Sequence, residues 1–265
     1  IETVNLSGNG VATTYTVANG DAATFNLNGD QDLTLAGNGT SFDDKAITDN
    51  TSANTTLKIT TLGANVNLEK ATTVDTINIA ATGTSRTVTV DNGANVVLSA
   101  NQTTSFLLAT DDENDSITLA TGDDNGTSTA TPTITTATLD LTGVAGGNAG
   151  TVNIIAETGN LDITTATTGV AAKTDIIVSG SKNVSLGTVT ANKVDATALT
   201  GKLTLSTSTT VKTVDSGSGA DTITVNGAAV HKITTGAGDD KLIIDTTSAT
   251  SQFDTGSGND TITVA

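Results

Sequence analysis

Short alternating apolar pairs recur along this chain at an almost constant interval, and no other feature constrains its fold as tightly. Taking every second pair, the first apolar member falls at Leu57, Ile77, Val96, Ile117, Leu139, Leu161, Val184, Leu203, Ile223, Leu242 and Ile262, in steps of 19 to 23 residues. An interleaved series runs Val66, Val88, Phe106, Ile134, Val152, Ile176, Val194, Val214, Ile233 and Phe253, in steps of 18 to 28. Two short strands and two turns every ~20 residues are the mark of a solenoid, in which each coil buries its apolar face against the next. Alternation with period two sends Val, Ile and Leu inward and Thr, Ser and Asn outward. The expected fold is all-β: a parallel β-solenoid (β-helix or β-roll) of about 20-residue, two-strand coils. A β-sandwich would give similar local alternation and turn signals, but not a constant two-strand period.

Composition agrees with a narrow, regularly stacked interior. Threonine, valine, isoleucine, glycine and asparagine, all weak helix formers, dominate. Cys, Met and Trp are absent, and the only rings of Tyr or Phe are Tyr15, Phe25, Phe42, Phe106 and Phe253. The regularity of the repeat divides the chain into an irregular solenoid over 1–130, its continuation over 131–210, and the most regular coils over 211–265. Longer stretches from Ala36 and from Ala120 are expected to loop out, the second carrying Pro132, the one proline and the candidate joint. No apolar run approaches 18 residues, which argues against membrane insertion. The chain opens on Ile1 and closes at the end of a repeat, so it is expected to be an excised segment whose targeting signals lie elsewhere.

The charge is strongly acidic, with 28 Asp and Glu against 11 Lys and Arg and a formal net charge of −17. Glutamate occurs only at Glu2, Glu69, Glu113 and Glu157, so almost all the acid is aspartate, the residue of turns and hard-cation sites. One arginine, Arg86, and no basic patch argue against a nucleic-acid partner. The lack of cysteine excludes disulfides and thiolate metal sites.

Three turns near the C-terminus share one template: Gly217-Ser218-Gly219-Ala220-Asp221, Gly236-Ala237-Gly238-Asp239-Asp240 and Gly256-Ser257-Gly258-Asn259-Asp260. Their final aspartates are 19 and 20 residues apart, one coil per step, and so should stack. Unit charges about 5 Å apart repel by roughly 3 kcal/mol at an effective dielectric near 20. Either each turn merely caps a strand and its aspartate is solvated, or a hard cation sits between successive turns. Three copies in stacking register favour the cation, and an oxygen-only, carbonyl-rich ligand set is calcium chemistry. Upstream, Asp115 is aligned with Asp260 in this reading, with Asp111, Asp112 and Glu113 where the turn would be; another calcium there and none are equally open. Asp75 is expected to be an ordinary exposed residue.

From Asp215 to Ala265 these turns resemble the calcium-binding nonapeptide repeats (Gly-Gly-x-Gly-x-Asp-x-apolar-x) of RTX proteins, which Gram-negative bacteria export by type I secretion. The chain departs from that pattern at the first glycine, replaced by Ser216, Thr235 and Thr255. Only one of the two turns per coil carries the motif; the other reads NGAAVHK from Asn226 and TTSATSQ from Thr246. The resemblance implies Ca2+ on one edge, with two ions between three turns as the simplest count. It assigns ligand roles to Asp221, Asp240 and Asp260, with carbonyl oxygens from the turns holding Gly217, Gly219, Gly236, Gly238, Gly256 and Gly258, and Asp239 and Asp115 as further candidates.

The tracts IETVNLSG from Ile1 and VDTINIAATG from Val74 resemble surface-layer (S-layer) proteins that carry RTX repeats. That likeness implies a structural, non-enzymatic component of a calcium-dependent bacterial surface layer, extracellular and self-assembling into a lattice with its own copies. Cell-surface polysaccharide would then be met through regions outside this segment. Low cytosolic calcium would keep such a chain unfolded for export, and calcium outside would close its coils. An RTX-type adhesin rod is the alternative, and a β-helical polysaccharide-acting enzyme the third reading. Against the enzyme stand a single histidine, His231, read as a surface residue, and the lack of any grouped basic and acidic cleft. The exposed threonine pairs Thr222/Thr224 and Thr261/Thr263 are interrupted by Lys241/Ile243, which argues against an ice-binding face.

Overall fold

A computed structural model describes residues 3–7, 13–15, 24–28, 33–35, 43–50, 56–59, 63–80, 83–100, 102–108, 115–122, 134–135, 137–140, 149–163, 165–167, 174–227, 229–245 and 250–265. Among these there is no helix. The chain is an all-β parallel β-solenoid with about 20 residues per turn. One sheet of twelve parallel strands runs from Thr13–Tyr15 to Gln252–Asp254. A second parallel sheet faces it, its main path running from Val66–Asn67 to Thr261–Val264. Thr3–Leu6, Thr24–Leu27 and Ile47–Asp49 form a separate three-stranded parallel sheet. At the usual spacing of about 4.8 Å between strands, a twelve-strand stack is about 50 Å long.

The alternation read from the sequence is what builds this stack. In Thr222–Val225 the half-buried threonines alternate with buried Ile223 and Val225, and Leu203–Thr207 buries Leu203 and Leu205 in the same way. Register then superposes like on like: Val194 on Val214, Val214 on Ile233, Ile233 on Phe253. β-branched side chains with one preferred rotamer suit such columns, because each can nest on an identical neighbour. The inward faces form one aliphatic core in which Phe25 and Phe106 are fully buried rings. Ile262 and Val264, by contrast, are 53% and 73% exposed, since the last strand has a neighbour on one side only.

The even ladder slips at one coil. Thr104 pairs with Ala137 and Ile117 with Val152, offsets of 33 and 35 residues in place of about 20. As a result Leu57, Ile77, Val96 and Ile117 lie in the first sheet, whereas Leu203, Ile223, Leu242 and Ile262 lie in the second. A solenoid tolerates this because lengthening a turn costs little closure entropy and leaves the strand stacking unchanged. Counting residues cannot distinguish such a loop from an extra coil. Residues 123–133, Pro132 included, and the stretch 36–42, both expected from the sequence to loop out, lie outside the described residues. The first sheet crosses both boundaries drawn from the sequence, through Asp115–Thr121 against Ala149–Ala156 and Lys193–Leu199 against Thr213–Asp215. The three stretches are therefore parts of one stack.

Candidate metal centre

Each glycine–aspartate turn carries the chain from the first sheet to the second, along one edge of the solenoid. The three aspartates stack there as their spacing requires, each reaching back one coil. Asp221 Oδ1 accepts the Leu203 N–H at 2.7 Å, Asp240 Oδ1 accepts the Asp221 N–H at 2.8 Å, and Asp260 Oδ1 accepts the Asp240 N–H at 3.0 Å. Asp221 and Asp240 are only 1% and 2% exposed, and Asp260 is half-buried.

The second carboxylate oxygens meet different surroundings. Asp221 Oδ2 accepts the Ser216 hydroxyl at 2.6 Å, and the same hydroxyl lies 2.7 Å from the Thr235 carbonyl oxygen. Thr235 holds the equivalent place in the next turn, yet its hydroxyl donates to the Thr255 carbonyl at 3.0 Å. Asp240 Oδ2 is left buried without a hydrogen-bond partner. A buried carboxylate oxygen in that condition costs free energy unless a proton or cation meets it.

The glycines bring backbone oxygens to the same edge. Gly236 and Gly238 have φ of 85° and 125°, and a Cβ on either would overlap the carbonyl oxygen of Gly217 or Gly219 in the coil before. Gly256 and Gly258 repeat this against Gly236 and Gly238, and a parallel bridge joins Ala237 to Ser257. Among the described residues no three His, Cys, Asp or Glu side chains converge as a metal cluster. The donors that fit a cation here are therefore a lone carboxylate oxygen and a row of carbonyls, all oxygen, as calcium requires.

The other candidates lie elsewhere. Asp239 is exposed and its Oδ1 caps the Asn259 N–H at 2.8 Å. Asp115 begins a strand of the first sheet, paired with Ala149, and so stands at the edge opposite the aspartate column. Its alignment with Asp260 came from the slipped ladder. Asp111, Asp112 and Glu113 lie outside the described residues. Asp75 is exposed.

His231 corrects the sequence reading, being fully buried in a turn on that opposite edge. Its Nδ1 lies 2.8 Å from the Val211 carbonyl and its Nε2 3.4 Å from that of Gly227. Turn carbonyls outside the ladder need donors, and the imidazole supplies one.

An asparagine column on the aspartate edge was missed. Asn65 Oδ1 accepts the Thr87 N–H at 3.0 Å, Asn160 accepts the Asn183 N–H at 3.0 Å, and Asn183 accepts the Lys202 N–H at 2.9 Å. Asparagine immediately before an apolar strand residue, as in Asn160-Leu161 and Asn183-Val184, is the signal that could have found it. This column lies one residue before the stacked aspartates, since Asn183 aligns with Lys202 and Asp221 with Leu203, and it reappears at Asp239, whose Oδ1 caps the following coil in the same way.

No family model, curated protein or solved structure matches this chain. The fold rests on its own geometry, and the site must be read from its chemistry.

Burial is the main force raising the Asp221 pKa above the ordinary 3.8, opposed by bonds from the Leu203 N–H and the Ser216 hydroxyl and reinforced by the Asp240 charge. One hydroxyl proton cannot serve both acceptors of Ser216, whereas a proton on Asp221 completes the chain from Asp221 through Ser216 to the Thr235 carbonyl. A carboxyl with a raised folded pKa contributes stability that is full below the unfolded value and is lost as pH rises through the folded one. In metal-free buffer this group is therefore expected to raise the urea midpoint as pH falls from 7 toward 3.8. Asp221→Asn should flatten that slope, and an unchanged slope would show that Asp221 is not its source.

Proposed function

We propose that this chain is a structural rod of a bacterial surface layer, exported, clamped by calcium along its glycine–aspartate edge, and assembling with copies of itself into an extracellular lattice. The observation that carries the calcium part is the buried, unpartnered Oδ2 of Asp240, set in a column of stacked carboxylates beside a row of turn carbonyls. The RTX-like template and the surface-layer-like tracts support the wider reading.

Residues Asp240 and Asp260 would hold the ion, with carbonyls of the glycine turns completing its shell; bound there, calcium supplies the positive charge that lets two coils close. Because metal binding to the folded state alone is folding free energy, saturation at 100 times Kd should add about 2.7 kcal/mol of stability. The test is a thermal melt with chelator and with millimolar calcium, where no shift would sink the metal reading. Electron microscopy of the calcium-loaded protein tests assembly: ordered sheets that chelator dissolves are expected. A protein that stays monomeric in calcium would instead be the rod of an adhesin.

A further inference from the structure

Resting on that calcium reading, we infer that Ser216 closes the Asp221 rung of the column to metal, so that an ion is taken at the Asp240 rung and not at the Asp221 rung. The three turns share a template, and treating them as equal gives two ions. Their atoms are not equal. At the first rung Oδ1 of Asp221 is held by the Leu203 N–H at 2.7 Å and Oδ2 by the Ser216 hydroxyl at 2.6 Å. The Thr235 carbonyl, which faces the same gap, is also engaged by that hydroxyl at 2.7 Å. Calcium needs about six to eight oxygens, and this rung has committed both oxygens of its carboxylate to hydrogen bonds.

At the second rung the Thr235 hydroxyl engages the Thr255 carbonyl in the same way, at 3.0 Å, but makes no bond to Asp240, so the rungs differ at the carboxylate. Asp240 Oδ2, in a residue 2% exposed, keeps its lone pairs free. The backbone differs in the same sense. Gly236, Gly238, Gly256 and Gly258 are left-handed while Gly217 and Gly219 are not, and the bridge between Ala237 and Ser257 joins the second turn to the third. The serine hydroxyl thus serves as a neutral, built-in substitute for the ion at one rung.

Equilibrium dialysis against radioactive calcium, counting ions per chain, tests this. Ser216→Gly, which restores the glycine of the repeat template, should bind one ion more than the unsubstituted chain, and Asp240→Asn one fewer. The added ion should vanish in the double variant Ser216→Gly/Asp221→Asn. Ser216→Ala, which removes the hydroxyl but keeps a Cβ, carries the test if circular dichroism shows that the glycine variant does not fold. An unchanged count in a folded Ser216 variant overturns the inference while leaving calcium at Asp240 intact, as does an added ion that survives the loss of Asp221. No binding by the unsubstituted chain overturns both.

Discussion

Replacing Gly236 with alanine is expected to destabilise the chain by about 4 kcal/mol, the sum of two separable costs. Alanine at a φ of 85° carries a left-handed penalty of about 1–2 kcal/mol. Its Cβ would also overlap the Gly217 carbonyl oxygen, and that oxygen cannot retreat, because it accepts the Ala237 N–H at 3.0 Å. Forcing atoms into a packed stack of this kind costs about 1–3 kcal/mol more. Gly93 is the control: its φ is 79°, but a Cβ there meets nothing within 4 Å. Gly93→Ala should therefore lose only the left-handed part. Urea unfolding of both variants separates the terms, and equal losses at the two sites would mean that close stacking of the glycine turns contributes nothing.

Asp240→Asn is expected to change sign with calcium. The asparagine keeps an Oδ1 for the Asp221 N–H, the service that Asn183 performs for Lys202 upstream. It removes a buried charged oxygen that has no partner, which should stabilise the metal-free protein by about 1–3 kcal/mol. In calcium at 1,000 times Kd the unsubstituted chain gains about 4.1 kcal/mol that the variant forgoes, so the order reverses. Urea midpoints measured with chelator and with millimolar calcium give both arms. A variant less stable under both conditions would make Asp240 a structural cap whose charge is incidental.

A parallel solenoid is unusually legible because it converts neighbours in space into a constant offset along the chain. Leu242 lies under Ile262 and Asp240 beside Asp260 for the same reason that each pair is 20 residues apart. Fold class, the inward aliphatic columns and the stacking of the three aspartates were therefore determined by the sequence itself. Where the offset changes, that legibility ends. The coil that pairs Ile117 with Val152 moved Asp115 to the wrong edge on paper, because one-dimensional counting cannot distinguish a loop from a coil.

The tertiary structure alone decided the details that turn a column of acids into a candidate site. Ser216 and Thr235 are both hydroxyl residues at the same place in the repeat, yet one bonds the aspartate of its own turn and the other does not. His231 looks like a surface residue in a polar turn and is instead a buried ring whose two nitrogens face the carbonyls of Val211 and Gly227. Such outcomes depend on where a hydroxyl or ring nitrogen falls within about an ångström, since hydrogen bonding fades steeply beyond its preferred length and angle. Periodicity is a property of the chain, whereas the free oxygen of Asp240 exists only once three coils have closed around it.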